Sequence, residues 1–126
     1  MTYAPQDIED LVQRQLNAHN IPSGAPPIPS DLSSPWVMPT RTGGTRDGVV
    51  YDRHSVSIDC WSDSWAGAQL LASQALDAVM RMEEDGLAYS VEVNALPYNN
   101  PDPRHESLPR ATFAVVIGAR IADRNN

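Results

Sequence analysis

A chain of 126 residues with 41% hydrophobic and 20% charged side chains is one domain of ordinary size, with enough apolar material for one core and no room for two. Its 16 acidic residues outnumber 9 basic ones, all of them Arg, for a net charge of −7. Without clustered cations it lacks the footprint for wrapping nucleic acid, and without any Lys it lacks the Gly-Lys pair of a Walker-type phosphate loop.

The start, MTYAPQDIED, has no basic region followed by an apolar stretch, so the reading predicts no signal peptide and a protein that stays in the cytosol. The single cysteine, Cys60, has no partner for an internal disulfide, which fits a reducing compartment. No apolar run approaches the ~20 residues that span a bilayer, so no membrane role is expected.

From Pro5 to Asn20, Ile8, Leu11, Val12 and Leu16 share one face of a helix, with Asp7, Glu9 and Asp10 at the end where the dipole favours negative charge. Five prolines between Ile21 and Pro35 deny that segment regular hydrogen bonding and predict an extended arm or a long loop. Trp36 to Thr42 reads as a strand, placed at a sheet edge by Pro39.

The stretch TRTGGTRDGVVYDRHSVSIDCW, Thr40 to Trp61, poses a choice between a phosphate cradle and a turn. A phosphate loop runs from a strand into a helix, so that backbone amides and the dipole meet the anion. Here Gly43, Gly44 and Gly48 stand between two strands, and Asp47-Gly48 is itself a hairpin signal. The reading is a long hairpin, Thr42 to Asp52 exposed as its loop, with glycines supplying positive φ. After it, His54, Val56, Ile58 and Cys60 alternate with Ser55, Ser57 and Asp59 as a half-buried strand.

Ser62, Asp63 or Ser64 then caps a second helix whose core face is Ala68, Leu71, Ala72, Ala75, Leu76, Val79 and Met82, closed by Gly86. It spans about 20 residues, roughly 30 Å. A strand containing Tyr89, Val91, Val93 and Ala95 stops at Pro97, and a loop follows from Pro97 to Pro109. The last strand, Arg110 to Ala122, turns Phe113, Val115, Ile117 and Ile121 to one face. The order α-β-β-α-β-β predicts an α+β fold, a mostly antiparallel four-stranded sheet with two helices packed on it, in a single domain over 1–126 with the Pro-rich segment 21–35 as its arm or loop.

Candidate chemistry is thin. Cys60 on an apolar strand face reads as a small buried hydrophobe, and Asp102 with His105 is too small a set to specify a metal site. No catalytic, cofactor or metal residues are assigned, although a small metal-dependent enzyme using His54, Asp102 and His105 stands as the alternative of a different class. Trp36, Trp61 and Trp65 suit either core packing or a subunit interface, Trp61 because it falls on the polar face of its strand and Trp65 because it begins a helix. Arg41, Arg46 and Asp47 in the hairpin are candidates for contacts to acidic partner surfaces, with Arg104 and His105 at the tip of the second loop as competitors.

The arrangement of DIEDLVQRQL, RTGGTRDG, HSVSIDCW, AGAQLLASQALDAV and the loop PYNNPDPRHESLPR resembles the tail terminator proteins of long-tailed bacteriophages. That resemblance covers Asp7 to Ile121. It implies a structural virion protein without catalysis or cofactor, a six-fold homo-oligomeric ring at the tail–neck junction that caps the tail tube and halts its polymerisation. It also implies contacts to the tail tube protein and to a neck or head-completion protein, DNA crossing the lumen without specific binding, and assembly in the host cytoplasm. A head–tail joining or neck ring protein is the alternative within the same class.

Overall fold

The computed structural model describes residues 3–4, 7–48 and 51–123; side chains are described within 7–46, at 48 and within 51–121. Its elements are β1 (Tyr3–Ala4), α1 (Ile8–Ala18), β2 (Trp36–Asp47), β3 (Tyr51–Trp61), α2 (Trp65–Met80), β4 (Ser90–Asn99), β5 (Arg110–Arg120) and β6 (Ala122–Asp123). β2 to β5 form one antiparallel sheet in the order β2-β3-β5-β4, while β1 and β6 make a separate two-stranded pair. The α+β order α-β-β-α-β-β is the one read from the sequence, with the short β1–β6 pair added outside it.

α1 begins where Asp7 accepts a hydrogen bond from the Asp10 amide at 3.1 Å, and Glu9 and Asp10 occupy its first turn. Pro5, where the helix was expected to begin, lies outside the described residues. The helix closes as a Schellman turn: Asn20 takes φ 62°, and the Ile21 amide reaches back to the Leu16 carbonyl at 3.0 Å. Ile8, Val12 and Leu16 are buried as their spacing predicts, with Leu11 packed at the margin. Gln15 shares that face and is satisfied there, donating to the Ala78 carbonyl at 2.8 Å and to Asp85 at 2.9 Å, which ties α1 to the end of α2.

In α2, Ser64 is the cap, accepting from the Gly67 amide at 2.9 Å. The helix is shorter than expected and ends at Met80; the chain continues in turns until Gly86 takes φ 75° and the Leu87 amide returns to the Met82 carbonyl. Ala68, Leu71, Ala72, Ala75, Val79 and Met82 are buried, but Leu76 only partly so. Both helices meet the sheet face made by Val37, Val56, Ile58, Cys60, Val91, Phe113, Val115 and Ile117, which together form a single core. At about 25 cal/mol per Å² of apolar area removed from water, this core is the main stabilising term.

Two strand boundaries differ from expectation. The exposed hairpin loop expected over Thr42–Asp52 is almost all strand: pairing continues to Asp47 opposite Tyr51, and a bulge between Arg41 and Gly43 absorbs the glycines. Gly44 is required there because a Cβ would collide with the Arg53 carbonyl oxygen, and its φ is 156°. β4 likewise runs through Pro97 to Asn99, because as an edge strand it needs no amide there and two bulges absorb the irregularity. Pro39 also sits on an edge strand, β2, as its type predicts.

Residues 21–35 form a loop that returns to β2. The Val37 amide donates to the Pro22 carbonyl at 3.0 Å, the Gly24 amide donates to the Val37 carbonyl at 3.3 Å, and Ser23 bridges Val37 in parallel. Its closest approach is at Gly24, where a Cβ would press into the Trp36 ring. Among the described residues no helix is long and apolar enough to cross a membrane.

Candidate functional site

Strand register distributes the candidate residues over both ends of the sheet. Arg41 and Arg46 are exposed but lie on β2, on the helix-side face, and not in a free loop as expected. Arg41 Nε donates to His54 Nδ1 at 2.9 Å, and its backbone amide donates to Glu9 Oε2 at 2.8 Å. Arg46 forks onto Asp52 at 2.7 and 3.1 Å. Strand alternation explains the correction, since residues two apart across a continued ladder fall on the same face as His54 and Asp52. Asp47 pairs with Tyr51 at the end of β2, and its side chain lies outside the described residues.

The second group gathers at the opposite end, where the loop after β4 folds back over the outer face of the sheet. Asp102 is buried there and binds His105 Nδ1 at 2.8 Å and the Arg104 amide at 3.0 Å, with Arg110 at 3.8 Å. Arg110 in turn donates to the Asn100 carbonyl at 2.7 Å and lies 5.7 Å above the Trp61 ring. Trp61 is consequently 0% exposed. The loop covers a ring that alternation had directed outward, so Trp61 packs within its own chain and offers no interface surface. Trp65 remains 42% exposed and borders a cavity of about 320 Å³ with Pro101, Pro103, Leu108 and Pro109. Arg104 is exposed in the same loop.

His54 does not join Asp102 and His105. It pairs with Ile117, seven positions along β5 from Arg110, or about 23 Å of strand, and it faces the helices while Asp102 lies over the outer face. Its ring is fully buried, with Nε2 unpartnered, and burial followed by the Arg41 charge depresses its pKa against the opposing pull of Asp52. Burial pushes the Cys60 thiol well above its ordinary range. Among the described residues no three His, Cys, Asp or Glu side chains converge in a metal-binding arrangement.

Both buried carboxylates are held below the usual range. For Asp52 the main cause is the hydrogen bond from Arg46; for Asp102 burial pushes upward, and the bonds from His105 and the Arg104 amide outweigh it. The signs agree for all three groups. His54 stays neutral where an unfolded histidine takes up a proton, so stability falls as pH drops below about 6.5 toward its folded pKa. Asp52 and Asp102 stay ionised where unfolded carboxylates protonate, so a second loss follows below about pH 4 as pH falls through their folded values. Denaturant melts across pH are expected to show both windows. His54→Gln should flatten the upper one and Asp52→Asn the lower; an unchanged profile in both variants would refute these assignments.

A surface that the sequence reading did not single out lies on β4 and α2. Leu96 is 69% exposed, Tyr98 48% and Val93 41%, on an edge strand, with Val93 opposite Val115 on the helix-side face and Tyr98 opposite Thr112 on the outer one. Leu70, 60% exposed, and Trp65 lie on the adjoining helix, which Gln69 ties to β4 through a 2.8 Å bond to Asn99. The apolar alternation around Val93 was legible; that β4 is an edge, with one long side open, follows only from the strand order.

No protein-family model matches the chain, and no curated protein matches it.

Proposed function

We propose that this protein is a tail terminator: copies close into a ring on the finished tail tube, stop its polymerisation, and offer the neck its attachment surface. In this reading it works in the virion at the tail–neck junction, DNA passes through the lumen, and the partners are copies of itself, the tube protein and a neck or head-completion protein. The observation that carries it is the set of large apolar side chains left exposed along the β4 edge, Val93, Leu96 and Tyr98. Large apolar side chains exposed along an open edge strand are what a monomer avoids and a subunit interface uses. The element order and the proline-rich loop between β4 and β5 agree with the sequence resemblance. A closed ring also needs two different complementary patches on each subunit, which an asymmetric sheet with two unlike edges supplies.

Light scattering at micromolar concentration, with negative-stain imaging of the same sample, tests it. The expected result is a closed ring of uniform mass; a monomer at every concentration would overturn the proposal. In an infected culture lacking the protein, tails of excessive length are expected. Tails of normal length with unjoined heads would assign the chain to head–tail joining instead.

A further inference from the structure

The arginines of this chain are not equivalent. Arg14 pairs with Asp10, Arg46 with Asp52, Arg53 with Glu92 and Arg110 with Asp102, while among the described residues Arg41, Arg81, Arg104 and Arg120 meet no carboxylate. Of those four only Arg41 has its side chain held: Nε donates to Nδ1 of the fully buried His54 at 2.9 Å. That bond requires an unprotonated Nδ1, and burial keeps the ring neutral, so the guanidinium is fixed in place without its charge being cancelled. Glu9 and Asp52 flank it, but both are engaged. Glu9 accepts from the Arg41 backbone amide at 2.8 Å, and Asp52 is forked by Arg46 at 2.7 and 3.1 Å. What remains is an exposed, anchored cation whose Nη1 and Nη2 have no acceptor among the described residues, in the planar fork that fits a carboxylate.

We infer that Arg41, anchored by His54, docks a carboxylate of the neighbouring copy, and that Glu84 supplies it. This rests on the ring reading above and specifies one of its contacts. Acid is in surplus, 16 residues against 9 arginines, so a second copy brings carboxylates that its own cations leave unmatched. Position selects among them. Arg41 lies opposite Val56, Val56 opposite Val115, and Val115 opposite Val93. Arg41 and the exposed Val93 therefore stand at one level, on the helix-side face, at the two opposite edges of the sheet. Glu83, Glu84 and Asp85 follow α2 in a turn that is tied to β4 by the 2.6 Å bond from the Val91 amide to Glu83, about 7 Å along the strand from Val93. That amide occupies Glu83, and Gln15 occupies Asp85 at 2.9 Å, which leaves Glu84 exposed and unpaired among the described residues. A heterologous ring contact joins unlike patches from different sides of a subunit, as these two are. Anchoring also reduces the side-chain entropy that an arginine ordinarily loses on docking.

Charge exchange tests this, read as the protein concentration at half-assembly by light scattering, with circular dichroism checking that each variant is folded. Arg41→Glu and Glu84→Arg are each expected to raise that concentration at least about tenfold, and the two changes together to return it to within about threefold of the parent. Arg41→Gln, which adds no negative charge beside Glu9 and Asp52, carries the same comparison if Arg41→Glu fails to fold. Arg41→Lys keeps the charge but has no Nε to meet His54, so it is expected to fall between the parent and Arg41→Gln. Parental assembly by the folded Arg41 variants would overturn the docking role while leaving the ring reading standing. Failure of the double variant to recover would overturn Glu84 as the ligand, and Arg41→Lys assembling like the parent would overturn the anchor. A parent protein that is monomeric at every concentration would overturn this inference and the ring together.

Discussion

Ile117→Asp is expected to abolish soluble folding. Ile117 is fully buried on β5, a central strand, opposite His54 on one side and Val91 on the other, and within the core cluster shared with both helices. The polar neighbour across the ladder is His54, which burial keeps neutral, so the new carboxylate would lose its hydration without a counter-charge. Such burial costs several kcal/mol, and the lost aliphatic packing adds about 2 kcal/mol or more. A domain of this size has only about 5–15 kcal/mol in total. Leu76→Asp is the informative companion. The sequence reading placed Leu76 on the same footing, but it is only partly buried on α2, so its carboxylate can reach water. Circular dichroism should find Ile117→Asp unfolded or insoluble and Leu76→Asp folded with a lowered melting temperature. Equal behaviour of the two would contradict the burial difference.

The second large effect is on assembly without loss of folding. In Val93→Lys with Leu96→Lys, both changes fall on exposed positions of an edge strand, where substitutions usually shift stability by only about ±0.5 kcal/mol. Lysine on an edge is a common natural block to strand addition, because pairing would bury or crowd the ammonium. If each site is a buried anchor in the ring, its loss costs about 2 kcal/mol, and two together weaken each subunit contact by roughly a thousandfold. The double variant should melt like the parent yet run as a monomer by light scattering, and cells carrying it should yield tails of irregular length. A variant that still forms rings would remove β4 from the interface and, with it, the observation on which the proposed function stands.

These two experiments divide along the line between what sequence and tertiary structure each determine. Helices were legible because a 3.6-residue period requires only neighbours on one turn: Ile8, Val12 and Leu16, and Ala68 to Val79, declare their buried faces locally. The face of β3 was legible for the same reason, at period two, and the edge position of β2 followed from a proline that cannot donate. Boundaries were less so. The glycines at 43 and 44 read as a loop because their φ freedom permits one, and only pairing with β3 turned them into a bulged strand. That β4 is an edge was not written in its own residues, because a strand's neighbours are chosen by chain segments far away in sequence. Trp61 shows the same limit from the opposite side: alternation directs it outward, and a loop some 40 residues later folds back through Arg110 and Asp102 to bury it. Arg46 likewise had no visible partner until the ladder set it beside Asp52. Sequence by itself determined which elements form and which faces they bury, since those depend on local periodicity. Only tertiary structure decided which strand edges and side chains remain open to another molecule, because exposure depends on what the rest of the chain has already covered.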